Sequence, residues 1–95
     1  MLIRFTQSAR KHKIGTTRVR HVLAHTTAAF TIPGGHGEAE RTVWLGADHE
    51  GRVLEVMTIN IDDGLLVIHA MDIRPKYRDR YDQATSCETE QETNR

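Results

Sequence analysis

The chain has a single cysteine, Cys87, so no internal disulfide can staple it; the thiol falls in a polar stretch, and the expected compartment is the cytoplasm. No apolar run approaches the roughly 20 residues that a membrane-spanning helix needs. The opening Met1-Leu2-Ile3-Arg4-Phe5 lacks an apolar stretch of the secretory kind. Two prolines and seven glycines leave no collagen-like or mucin-like bias. Acidic residues are absent from the whole of residues 1–30.

What remains is ordinary globular composition: 38% hydrophobic and 27% charged over 95 residues. Runs such as Leu65-Leu66-Val67-Ile68 demand burial, which excludes a wholly disordered chain, and the length excludes two large domains. One domain over residues 1–82 is expected, followed by a polar, disordered tail over 83–95. So small a core stabilises little, and a partner chain is expected to support it.

The zero net charge conceals a polarity. Arg4, Arg10, Lys11, Lys13, Arg18 and Arg20 fall in the acid-free first thirty residues. Residues 31–73 carry eight acids against Arg41 and Arg52, and residues 74–82 turn basic again. Two basic ends point to an anionic partner if they meet in space. The alternative is a set of solvated helix faces.

Leu2, Ile3 and Phe5 fit a short edge strand. Thr6 fits the cap of a short helix over 7–12, and Thr16 that of a second helix running to about Ala28, with Ile14 as a hydrophobic staple. Pro33-Gly34-Gly35-His36-Gly37 fits a flexible connection rather than a phosphate cradle, because it lacks both the strand–helix context and a Lys-Ser/Thr step. Strand signals fill 41–46, 52–61 and 65–73. Asp48-His49-Glu50-Gly51 and Asp62-Asp63-Gly64 supply the turns, the second being a strong hairpin signal. Pro75 suits the first turn of a last short helix ending near Tyr81 or Asp82. The expected fold class is α+β: two N-terminal helices, an antiparallel β-meander of three or four strands, and a short C-terminal helix. Strict alternation along the third strand puts Leu66, Ile68 and Ala70 against the helices and Val67, His69 and Met71 on the opposite face.

The ordered pieces resemble the BrnT toxins of bacterial type II toxin–antitoxin systems, within the RelE/ParE-like superfamily. They are Arg10-Lys11-His12-Lys13-Ile14 and the helix after it, Glu40-Arg41 opening a strand that ends in Leu45-Gly46, Gly51-Arg52-Val53-Leu54-Glu55-Val56, and Ile68-His69-Ala70-Met71 leading to a basic segment closed by Tyr81. The resemblance covers about residues 3–82. It implies a RelE-like microbial ribonuclease toxin fold, RNA as target, growth inhibition by RNA cleavage or a block of translation, and a cognate antitoxin as partner. Lys11, His12, Arg41 and Arg52 sit on matching positions. The segment Arg74-Pro75-Lys76-Tyr77-Arg78 matches in basic character. Two positions depart: His69-Ala70-Met71 stands where these toxins carry Ser-Ala-Arg, and Tyr77 stands where a glutamate is frequent.

Metal-free RNA cleavage needs a base for the 2′-hydroxyl, an acid for the leaving oxygen, and cations for the phosphorane. Histidine suits the first two roles, and arginine and lysine the third. The candidate catalytic residues are His69, His12, Arg41, Arg52 and Arg74; Lys11, Lys76, Tyr77 and Arg78 are the candidate RNA contacts. His69 is the first choice for proton transfer. No metal and no cofactor is expected, because the i, i+4 pair His21 and His25 has no evident third ligand. Each residue also has a plainer role: His12 as a cap, His69 as a sheet-surface side chain, Arg41 and Arg52 as partners of Glu40, Glu50 or Glu55, and Trp44 as core. The antitoxin is expected on the basic residues 4–25 or over the cleft between them and the sheet. A module that binds without cleaving is the rival reading.

Overall fold

A computed structural model describes residues 2–93, with side chains through residue 85. The order is β1 (Leu2–Phe5), a single 3-10 turn (Ser8–Arg10), α1 (Thr16–His25), β2 (Ala28–Ile32), β3 (Arg41–Ala47), β4 (Val53–Ile61), β5 (Gly64–Asp72) and α2 (Pro75–Thr93). The strands form one mixed sheet in the order β1-β5-β4-β3-β2. Strand β1 runs parallel to β5, and every other pair is antiparallel. This overturns the expected pair of N-terminal helices followed by a meander: among the described residues the sheet has five strands, and two α-helices flank it.

The first expected helix collapses to the 3-10 turn for a physical reason. Thr6 Oγ1 accepts the Ala9 amide at 3.1 Å, as a cap would, but Ala9 is the only side chain the turn buries. Lys13 then adopts a left-handed φ of 59°, and the chain drops Ile14 into the core. A short segment with one anchor cannot offset the cost of starting an α-helix. In α1, Gly15 occupies the cap position that Thr16 was expected to fill, and makes no side-chain cap bond. The helix ends at His25, not near Ala28. Thr26 Oγ1 bonds to the Leu45 carbonyl oxygen at 2.5 Å and accepts the Ala28 amide at 3.1 Å, turning the chain into β2.

Two glycines permit close approaches. A Cβ at Gly64 would lie 1.9 Å from the Leu2 carbonyl oxygen, so β1 can lie against the start of β5 only because position 64 has no side chain. A Cβ at Gly46 would lie 2.8 Å from Thr26 Cβ, where α1 meets β3.

Both faces of the sheet carry core. Ala9, Ile14, Val19 and Val22 pack with Leu54, Val56, Val67 and Ala70 on the α1 face. Val43, Leu45 and Met57 pack with Tyr77 of α2 on the other, joined by Phe30 and Ile68. The expected alternation of β5 fails at a bulge. Met57 pairs with His69 and Thr58 with Val67, so Ile68 has no opposite number. Val67 therefore joins Ala70 on the α1 face, while Ile68 falls on the α2 face.

The last helix continues to Thr93, across most of the stretch expected to be a polar tail; residues 94 and 95, and the side chains after residue 85, lie outside the described residues. Among the described residues no helix is long and apolar enough to cross a membrane.

Candidate functional site

The sequence of β4 places a carboxylate inside the fold. Leu54 and Val56 face α1, so Glu55 between them faces α2, and its side chain is fully buried. A buried carboxylate needs partners. Arg74 provides most of them: Nη2 lies 2.6 Å from Oε2, Nε lies 3.0 Å from both oxygens, and the Arg74 amide donates to Oε1 at 2.9 Å. Pro75 opens α2 and biases Arg74 toward extended backbone, which suits an amide aimed back at the sheet rather than into the helix. His69 Nε2 provides the remaining contact, 3.0 Å from Oε2.

The edge of β5 adds a second imidazole. Strand β1 ends where Phe5 pairs with Val67, which leaves the later part of β5 without a partner on that side. The 3-10 turn packs against β5, and the His12 ring, just beyond the turn, lies 6.1 Å from that of His69, edge to face. On the other flank the Arg74 guanidinium and the Lys76 ammonium lie 5.6 and 5.0 Å from the centre of the Tyr77 ring.

Burial is the strongest single influence on Glu55 and opposes its charge. The Arg74 hydrogen bonds and charge, with the His69 bond, outweigh it and hold the carboxyl below its ordinary range. Burial also dominates at His69, and lowers it. Glu55 pulls the other way, Arg74 and His12 add to the lowering, and the net position is below 6.5. At neutral pH His69 is therefore an uncharged imidazole. A carboxylate can only accept, so Nε2 carries the hydrogen and Nδ1 keeps the lone pair. With 23% of the side chain exposed, His69 is reachable from solvent.

The structure thus links His69 directly to His12 and, through Glu55, to Arg74; Lys76 and Tyr77 follow on α2, with Tyr77 buried in the α2-side core, and Lys11 stands beside His12 in the chain. Arg41 is not among them. It pairs with Ile32 in the sheet and with Glu38 through its side chain, whereas Glu55 stands opposite Leu45, four residues further along β3, roughly 13 Å away. Arg52 is held by Asp72, with Nη2 2.9 Å from Oδ2. Arg78 faces Asp82 at 3.6 Å. The acids expected to take Arg41 and Arg52 (Glu40, Glu50 and Glu55) do not pair with them. Arg74, expected to meet a substrate's charge, is tied to Glu55. Sequence reasoning missed Glu55 as the organiser, although a lone acid inside the apolar run Val53-Leu54-Glu55-Val56-Met57 was the available signal.

Other clusters have plainer roles. Asp48 is buried, bonds Arg18 at 2.6 Å and closes its turn by accepting the amides of Glu50 and Arg52 at 2.8 and 3.0 Å. His21 lies 4.2 Å from His25 and 6.1 Å from His49, ring to ring, yet among the described residues no group of three or more His, Cys, Asp or Glu is arranged to hold a metal ion. Two clefts of about 220 and 360 Å³ lie between α2 and the β2 edge, lined by residues such as Thr27, Ala28 and Ala84. Neither is lined by Glu55, His69, Arg74 or His12. Comparisons with family models, curated proteins and solved structures returned no match to this chain.

Proposed function

We propose that this protein is a BrnT-like toxin of a type II toxin–antitoxin pair, acting in the cytoplasm by metal-independent cleavage of RNA. The observation that carries the reading is the neutral His69, oriented by Glu55 and set beside His12 on the basic edge of the sheet. In this mechanism His69 Nδ1 takes the proton of a 2′-hydroxyl, and the freed oxygen attacks the adjacent phosphorus. The bond from phosphorus to the 5′-oxygen breaks, and His12 protonates that oxygen as it leaves. The products are a 2′,3′-cyclic phosphate and a 5′-hydroxyl. Lys11 and Lys76 supply charge for the phosphorane, and Arg74 acts through Glu55 as a positioning residue. The antitoxin neutralises the toxin by covering the basic residues 4–25 or the cleft beside them, and screening by salt slows the association.

Expression of the gene alone tests this. Growth arrest with fragmented RNA is expected, and His69→Ala should lower cleavage by about 10²–10⁴-fold in a protein that still folds and binds its antitoxin. A well-folded His69→Ala protein that remains toxic removes His69 from the mechanism.

One observation favours the rival reading of a module that binds without cleaving: Arg41, Arg52 and Arg74 are all tied to the chain's own carboxylates. That reading predicts RNA retention with intact RNA, unaffected by His69→Ala.

A further inference from the structure

Arg4, Arg18, Arg41, Arg52, Arg74 and Arg78 each bond a carboxylate of the chain. Among the described residues three arginines have no acidic partner: Arg10, Arg20 and Arg80. Arg80 lies over Phe30 beside α2, 4.0 Å from the ring centre. Arg10 and Arg20 come from different elements, the 3-10 turn and α1, yet converge on one ring. Their guanidinium carbons lie 5.9 and 5.8 Å from the centre of Phe5. Arg20 also donates one N–H to the Ile3 carbonyl at 3.5 Å. Phe5 is anchored against the α1-side core, so the ring that gathers the two cations is fixed.

Two guanidiniums gathered on one ring repel each other. Cation–π attraction of about 0.5–1 kcal/mol each at exposed sites offsets that only in part. The chain has zero net charge and enough acids to pair its other arginines, yet places none here. Lys11 and Lys13 continue the unneutralised stretch, and His12 lies two residues beyond Arg10. What is missing is an anion from outside.

We propose that Arg10 and Arg20, held against Phe5, form a phosphate-binding subsite that grips the backbone of single-stranded RNA close along the chain to His12. The geometry shows two guanidiniums held at one ring; RNA as the source of phosphate rests on the function proposed above. Guanidiniums match phosphate oxygens with paired donors, and their open faces can stack on unpaired bases. An acidic protein segment is the competing occupant.

The test uses the full chain and a short, unpaired, fluorescent 2′-O-methyl RNA, which cannot be cleaved, with anisotropy read from about 50 to 200 mM salt. The double variant R10Q/R20Q should bind about tenfold more weakly or worse. Its plot of log affinity against log salt should be shallower by about 1.4, the loss of two single-strand phosphate contacts. R10K/R20K should keep the slope and lose affinity a few-fold, and R4Q, which removes an acid-paired arginine, should leave both unchanged. All three positions are exposed, so melting curves should match the parent. Wild-type affinity and slope in R10Q/R20Q would overturn the proposal. So would RNA that fails to bind while a polyglutamate peptide binds in an Arg10- and Arg20-dependent way. Because the probe resists cleavage, the two claims fail separately. If His69→Ala leaves cleavage of ordinary RNA intact but R10Q/R20Q loses the probe, the subsite stands and the proposed catalysis falls.

Discussion

Asp48 and Glu55 are both buried carboxylates, both bonded to arginine and both held in the charged form, yet they do different things. Asp48 has its oxygens taken by Arg18 and by two amides of its own turn, so its charge fixes the link between β3 and β4. Glu55 shares its oxygens between Arg74 and His69. The difference lies in the partners. An arginine and two amides are always donors, so Asp48 holds shape and nothing else. An imidazole has two nitrogens that exchange roles with protonation, so Glu55 fixes which nitrogen of His69 is free.

The comparison breaks most forcefully at Glu55. Replacing it with alanine removes the acceptor of a buried pair, for which about 3 kcal/mol is the expected loss. In a domain of this size that lowers the melting temperature by roughly 12–24 °C. Any RNA cleavage should vanish as well, because His69 loses its orientation. A melting curve and a cleavage assay on the same preparation check both. A smaller melting shift with full activity would mean that the pair does not organise the site.

Asp48→Asn sharpens the contrast from the other side. It should lower the melting temperature, since burial without charge weakens the Arg18 contact, but activity measured below the melting transition should stay at the parent level. Lost activity in the folded variant would show that the two carboxylates are coupled, contrary to the division drawn above.

The effect of pH is smaller and separates three groups. His69 sits below its free value of 6.5, so the folded protein resists its protonation. Its contribution is fully present above pH 6.5 and declines as pH falls through that point. Glu55 and Asp48 are lowered from 4.5 and 3.8, Asp48 to about 2. At Asp48 burial opposes the charge most, and the Arg18 bond and the turn amides together overcome it. Their contributions are present above those free values and are lost as pH falls below them. Stability should therefore decline in two stages, and His69→Gln should remove the decline between about pH 6.5 and 4.5 while keeping the acid limb. Melting temperatures across the range give the answer. An unchanged first stage would show that His69 is not the group involved.

The sequence made part of this visible. Asp62-Asp63-Gly64 announced the turn between β4 and β5, and His69, His12 and Arg74 were recognisable as chemistry-bearing residues. Three features were hidden for separate reasons. Strand β2 has only five residues and follows α1 directly, so its short alternation blended into the helix signal. The β1–β5 pairing joins Leu2 to Gly64, a contact that no local pattern can announce. The bulge at Ile68 reverses the expected face of Val67 by one skipped residue. The role of Glu55 was hidden too: several arginines were available to it, and only the path through Pro75 selects Arg74.

Two things decide the state of His69: burial keeps it a neutral imidazole, and Glu55 fixes its hydrogen on Nε2. Nitrogen-15 NMR of the imidazole rings through a pH titration reads this directly, with His69→Gln to assign the signal. His69 should show a titration midpoint below 6.5 and, at neutral pH, shifts of the Nε2–H tautomer with Nδ1 unprotonated. A midpoint above 6.5, or a proton on Nδ1 at neutral pH, would contradict this.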